Sequence, residues 1–204
     1  MKRGFTAFLV LLSLTALLFI SGCTESENSG GDLTGQNVSQ TSSVQSSVSL
    51  LPDSEYVNEF ESEDGSFSMK WSINEDIVYF KMTGDSKGWV AVGFNPTSVM
   101  KDADIYLGYM DGDLGSIHDM YSTGRFGPHP DDTKQGGEFS VLNYTVSESG
   151  GKTTVEFSRY LDTKDTYDSV IEEGETVDFI WAIADRDDPD FKHSVAKGSG
   201  TIVL

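Results

Sequence analysis

Nine short runs with strand character follow one another between Ser66 and Leu204, and nothing between them carries the period of a long amphipathic helix. They cover Ser66–Ser72, Asp76–Thr83, Gly88–Phe94, Asp104–Met110, Ser116–Tyr121, Phe139–Val146, Thr153–Arg159, Val177–Asp185 and Thr201–Leu204. Alternation is plain in several of them. Phe67, Met69 and Trp71 are separated by polar residues, and Val155 and Phe157 alternate with Glu156 and Ser158. Gly84-Asp85, Asp111-Gly112-Asp113 and Ser149-Gly150-Gly151 sit where hairpins would turn. Short strands that each bury one face need a second sheet to bury it against. The pattern therefore predicts an all-β fold, an antiparallel immunoglobulin-like β-sandwich of one domain, with a helical turn only at Asp162–Glu173.

One run differs from the rest. In Trp89–Phe94 the two alternating sets are Trp89, Ala91, Gly93 and Val90, Val92, Phe94, so both faces are apolar and the strand reads as buried on both sides. Asn95-Pro96-Thr97-Ser98 breaks it, because proline has no N–H for the ladder and Asn and Ser favour turns. The break delivers Val99 and Met100 to the end of the sheet. Two readings of Met100 stand here: an adaptable filler of the sandwich end, or a thioether ligand for a soft metal such as haem iron.

With 204 residues, 37% of them hydrophobic, the chain is large enough for one well-buried core. A net charge of −19 repels polyanions, which excludes nucleic acid as a partner and otherwise favours solubility. The single cysteine, Cys23, leaves no intrachain disulfide, CxxC pair, CxxCH haem attachment or cysteine-rich zinc site.

That cysteine closes a leader. Lys2 and Arg3 precede an apolar run from Phe5 to Ile20, too short for an ordinary membrane span, and small residues follow it. Leu18-Phe19-Ile20-Ser21-Gly22-Cys23 resembles a prokaryotic lipobox, which implies cleavage after residue 22 and acylation of Cys23. From Thr24 to Pro52 the chain is rich in Ser, Thr, Gln and Gly and reads as a flexible tether. The expected organisation is a signal peptide over 1–22, a lipidated cysteine and tether over 23–52, and the sandwich over 53–204. Its place is extracytoplasmic, lipid-anchored to the cell membrane. The longest irregular stretch, Ser122–Gly137, reads as an exposed functional loop.

Read in order, GWVAVGF with NPTSVM, DADIYLGY, HDMYSTGRFGPHPDD with QGG, VEFSRYLDTKD, FIWAIADRDDPDFKH and GSGTIVL resemble the DOMON family, over about Glu59 to Leu204. Haem-binding members hold a b-type haem between the sheets, with a methionine after the GW-type strand and a histidine near the last strand. The resemblance implies haem b with Met100 and His193 as axial iron ligands. A thioether and a neutral imidazole favour ferrous iron and electron transfer over oxygen activation. The partner implied is a redox protein, membrane-bound or soluble. Haem-free members share the scaffold, so a module binding a carbohydrate or other small molecule is the alternative.

The remaining candidates read as structure. His129 lies between two prolines and His118 lies in a strand, and either would take the ligand position if the register differed. No HExxH or close histidine pair favours zinc or copper, and Asp185–Asp190 lacks the glycine and spacing of a calcium loop. Arg159, followed by Asp162 and Asp165, reads as one side of an ion pair or a contact to a haem propionate. Trp71, Trp89 and Trp181 read as core. No nucleophile elbow, P-loop or dinucleotide fingerprint is present, so nothing in the chain argues for catalysis.

Overall fold

The computed structural model of the chain describes residues 49–204; the expected leader, Cys23 and most of the tether lie outside the described residues. Ten strands form: β1 (Asn58–Glu61), β2 (Phe67–Asn74), β3 (Ile77–Gly84), β4 (Val90–Phe94), β5 (Asp104–Asp111), β6 (Leu114–Tyr121), β7 (Asn143–Ser149), β8 (Lys152–Tyr160), β9 (Thr176–Ile183) and β10 (Ala196–Val203). They pair antiparallel in two five-stranded sheets, ordered β1-β2-β3-β8-β7 and β10-β9-β4-β5-β6. The sandwich expected from the alternation is what forms. Among the described residues no helix is long and apolar enough to cross a membrane.

The core follows from the alternation. Phe67, Met69 and Trp71 of β2 and Val78, Phe80 and Met82 of β3 point inward from the first sheet. Val90, Val92 and Phe94 of β4 and Val177, Phe179, Trp181 and Ile183 of β9 meet them from the second. Aromatic rings tie the layers: Phe80 lies 5.2 Å from Phe157, which stacks 4.5 Å from Tyr106, and Phe67 stacks 4.8 Å from Trp181. Such pairs add about 0.5–1.5 kcal/mol each beyond the area they bury. At Gly108 the two sheets approach closely, since a Cβ there would come within 2.6 Å of Val155.

Several expectations need correction. Hairpins do turn at Gly112 and at Gly150-Gly151, all with positive φ, but Gly84-Asp85 ends a strand whose chain crosses to the other sheet. Residues 162–173 contain no helical turn; among the described residues the 3₁₀ turns are Asp53–Glu55 and Asp132–Lys134. Arg159 does not pair with Asp162 or Asp165. It points inward from β8, fully buried, and its Nη1 donates to Asp104 Oδ2 at 2.7 Å and to the Tyr106 hydroxyl at 2.9 Å. Inward residues alternate, so a strand that carries Val155 and Phe157 in the core must carry Arg159 there too.

The outer face of the first sheet is closed by the chain's own N-terminal side. Glu156 of β8 accepts hydrogen bonds from Ser49 Oγ at 2.8 Å and Leu50 N at 2.7 Å, and it pairs with Lys81 at 3.1 Å. The segment entering the domain thus lies opposite the outer face of the second sheet.

Candidate functional site: a groove on the outer face of the second sheet

Because β4 is apolar on both sides, the second sheet has two apolar faces and only one meets the core. Register sets the other. Lys197, Ala182, Ala91, Leu107 and His118 form one cross-strand row, and Ser199, Ile180, Gly93, Ile105 and Met120 the next. The centre of this floor is Ala182, Ala91 and Gly93, where side chains are smallest, with Trp89 beside them. A Cβ at Gly93 would meet the side chains of Ile105 and Ile180 at 3.0 and 3.1 Å, so glycine keeps the floor low. Above it opens a groove of about 1270 Å³, more than the ~300–1,000 Å³ of most small-molecule clefts.

Three connections wall the groove. The turn leaving β4 carries Met100, the loop 122–137 carries Phe126 and His129, and the β9–β10 connection carries Phe191, Lys192 and His193. Met100 and His193 enter from opposite ends, since Met100 follows Phe94 and His193 follows Ile183, which pairs with Val90 at the other end of β4.

The Met100 turn is a strained one. Asn95, Val99 and Asp102 all have positive φ, and Val99, at +61°, is β-branched, a conformation that costs on the order of 1–3 kcal/mol. Backbone bonds within the turn and to the 122–137 loop hold it there. Thr97 N donates to Lys101 O at 2.8 Å, Asp102 N to Ser122 O at 2.8 Å, and Met100 N to Arg125 O at 3.4 Å. The last bond couples the Met100 turn to the 122–137 loop.

The His193 connection is fastened to the start of β4. Trp89 Nε1 donates to Phe191 O at 3.0 Å, Trp89 N to Arg186 O at 3.1 Å, and the Arg186 guanidinium lies 4.2 Å over the Phe191 ring. Burial lowers the pKa of His193, and Lys197 and Lys192 lower it further. Burial also lowers His129, against a smaller opposing pull from Asp190. Both imidazoles are therefore neutral at pH 7, with a lone pair to offer. Thioether and imidazole are uncharged donors that suit iron or copper rather than calcium or magnesium.

His118 is held elsewhere, as its strand position predicts. Its Nδ1 is 2.8 Å from Asp131 Oδ1, and its ring stacks on Tyr109. Trp71 and Trp181 lie in the core, whereas Trp89, equally buried, belongs to the groove side of β4. The Asp185–Asp190 run is an exposed loop whose carboxylates are engaged locally, with Ser194 Oγ donating to Asp185 and Asp190 N to Asp188. One expectation about placement changes. Aromatic and aliphatic side chains fill the space between the sheets, so a bound haem cannot lie there; the space open to a ligand is outside the second sheet.

The family model of the DOMON domain matches residues 63–184. The chain belongs to the DOMON domain family. The matched residues of this DOMON domain include Met100 and end before His193. It is 27% identical over 137 residues to MOXD1 homolog 1 of Drosophila melanogaster, covering 64% of this chain and 19% of that protein. To the human DBH-like monooxygenase protein 1 it is 28% identical over 124 residues, covering 61% and 19%. It therefore spans about a fifth of the length of these relatives. Among solved structures, the DOMON domain superposes on the cytochrome b domain of pyranose dehydrogenase from Coprinopsis cinerea with a TM-score of 0.55 at 13% identity, covering 74% of this chain and 85% of that one. On the cytochrome domain of Myriococcum thermophilum cellobiose dehydrogenase the TM-score is 0.51 at 12% identity, covering 72% and 82%. These domains share its fold.

Proposed function

We propose that this DOMON domain binds one b-type haem in the outer groove, with Met100 and His193 as axial ligands, and relays electrons to a redox partner protein. The observation that carries the reading is that a thioether and a neutral imidazole open onto one large apolar groove from opposite ends of the same strand. The low floor of Ala91, Gly93 and Ala182 suits a flat apolar body, and Lys192 and Lys197 at the rim suit its carboxylates. Bound there, the iron would supply a one-electron carrier. Met100 and His193 would hold the group and keep substrate away from its metal, so its chemistry would be electron transfer rather than substrate activation. The fold's likeness to cytochrome domains of two dehydrogenases supports the same reading.

A sugar-binding module is less well supported, because Trp89 and Trp181, the two indoles along the groove, are 5% and 6% exposed and offer no stacking face. Anchoring through Cys23 belongs to the same proposal, with the domain held outside the cytoplasm on its tether. Cys23→Ser is expected to release the protein from the membrane fraction with its circular dichroism unchanged; continued sedimentation with membranes would refute the anchor.

The ligand pair is tested by haem titration with optical spectroscopy. Wild type is expected to give a Soret band and a low-spin spectrum. His193→Ala is expected to lose most haem or turn high-spin, while His129→Ala leaves the low-spin spectrum intact. The reverse result assigns the ligand to His129, and no Soret band in any of the three proteins removes haem altogether.

A further inference from the structure

A strand at the edge of a sheet leaves a row of backbone donors and acceptors unpaired, and proteins commonly blunt it with lysine, proline or a bulge. β7 forms one edge of the first sheet, and its sequence, NYTVSES, carries no basic residue and no proline. Apolar surface lies beside that edge, where Leu142 and Tyr144 are 39% and 42% exposed. The strand opens with Asn143-Tyr144-Thr145, an Asn-x-Thr triplet, which is the acceptor pattern for N-glycosylation when the middle residue is not proline.

Strand geometry puts the two functional members of the triplet on one accessible face. Val146 is buried and turns toward the second sheet, so close to Gly115 of β6 that a Cβ there would come within 2.9 Å of it. By alternation Asn143 and Thr145 share the opposite, outer face of the first sheet, Asn143 exposed and Thr145 half-buried. Asn58, Asn74 and Asn95 are exposed as well, so exposure alone does not single out Asn143. The triplet does. Phe60 and Asp76 stand two residues after Asn58 and Asn74, and in Asn95-Pro96-Thr97 a proline holds the middle position, where its fixed φ bars the site. Thr145 pairs with Glu156, which accepts from Ser49 and Leu50, so the triplet lies on the face where the chain enters the domain.

We infer that Asn143 is an N-glycosylation site that takes an oligosaccharide from a lipid-phosphate-linked donor. This rests on the extracytoplasmic placement of the domain, because the triplet is an acceptor in exported proteins. In the transfer the amide nitrogen of Asn143 forms a C–N bond to the anomeric carbon of the sugar, and the bond from that carbon to the lipid phosphate breaks. The phosphate leaves with the electron pair, and the amide gives up one proton to a base of the transferase. A glycan is bulky and solvated, so at Asn143 it covers the free edge of β7 together with Leu142 and Tyr144. It also leaves the groove open. The groove lies on the outer face of the other sheet, beyond two layers packed about 10 Å apart.

The test needs no haem. The full chain, purified from its own organism, is digested and its peptides are read by mass spectrometry. The peptide holding Asn143 is expected to carry a glycan in most molecules, while Asn58, Asn74 and Asn95 stay bare. Expressed in the same organism, Thr145→Ala is expected to lose the glycan although Asn143 is intact, and Thr145→Ser to keep it, with circular dichroism confirming that both fold. If Thr145→Ala does not accumulate, the wild-type peptide decides the matter alone. Protease treatment of intact cells separates the two ways of failing. A bare Asn143 on protein that the protease reaches overturns the site and leaves the extracytoplasmic placement standing, whereas a bare Asn143 on protein that the protease reaches only after lysis overturns both.

Discussion

Arg159→Ala is expected to lower the unfolding free energy by about 3–5 kcal/mol, the scale for removing one partner of a buried ion pair. The side chain is fully buried, and besides Asp104 and Tyr106 it donates to the carbonyls of Tyr160 at 3.0 Å and Ser169 at 2.6 Å. Its removal opens a cavity, orphans those acceptors and leaves the neighbouring buried carboxylates of Asp104, Asp119, Asp132 and Asp168 with no guanidinium among them. Arg159→Lys should recover only part of the loss, because an ammonium cannot span acceptors on β5, β8 and the 161–171 segment together. Urea denaturation of the three proteins reads the effect. A loss below about 1 kcal/mol for Arg159→Ala would mean that the carboxylates are neutralised without the arginine.

In haem-loaded protein, Met100→His is expected to lower the reduction potential by roughly 100 mV, a modest part of the ~0.8 V that axial ligands span. A thioether favours ferrous iron and imidazole donates more strongly to ferric iron, which sets the sign. Met100→Ala should open the sixth position and raise carbon monoxide affinity, whereas wild type should be low-spin and slow to bind it. A redox titration with carbon monoxide binding on the three proteins distinguishes them. Rapid binding by wild type, unchanged in Met100→Ala, would leave Met100 as a packing residue on a strained turn.

Much of the sandwich was legible because each main strand carries its own alternation. The failures have local causes. β1 was missed because Asn58–Glu61 is an edge strand with only Phe60 half-buried, so it has no apolar period. β10 was expected only over Thr201–Leu204, since Gly198 and Gly200 look like strand breakers. In the fold they are required: a Cβ at either would come within 2.6 Å of Trp181 or 2.7 Å of Phe179, whose rings lie across them. β7 begins later than expected because Ser140 N is engaged by Asp119 rather than by a ladder partner.

The sequence alone determined the strand periods, the two apolar faces of Trp89–Phe94 and the proline break that sends Met100 off the sheet, because each depends on neighbours in the chain. Which face of β4 meets the core was not determined locally, since both faces are apolar; the packing of Val90, Val92 and Phe94 into one cluster with Phe80 and Phe157 decided it, and so put the groove outside the sandwich. The same holds for the carboxylates. Asp104, Asp119, Asp132 and Asp168 are far apart in sequence among 33 acidic residues, and only the register of β5 against β6, with two loops folded onto them, brings their charges together against Arg159. Their burial is a property of strand pairing over long separations, which no window of residues contains.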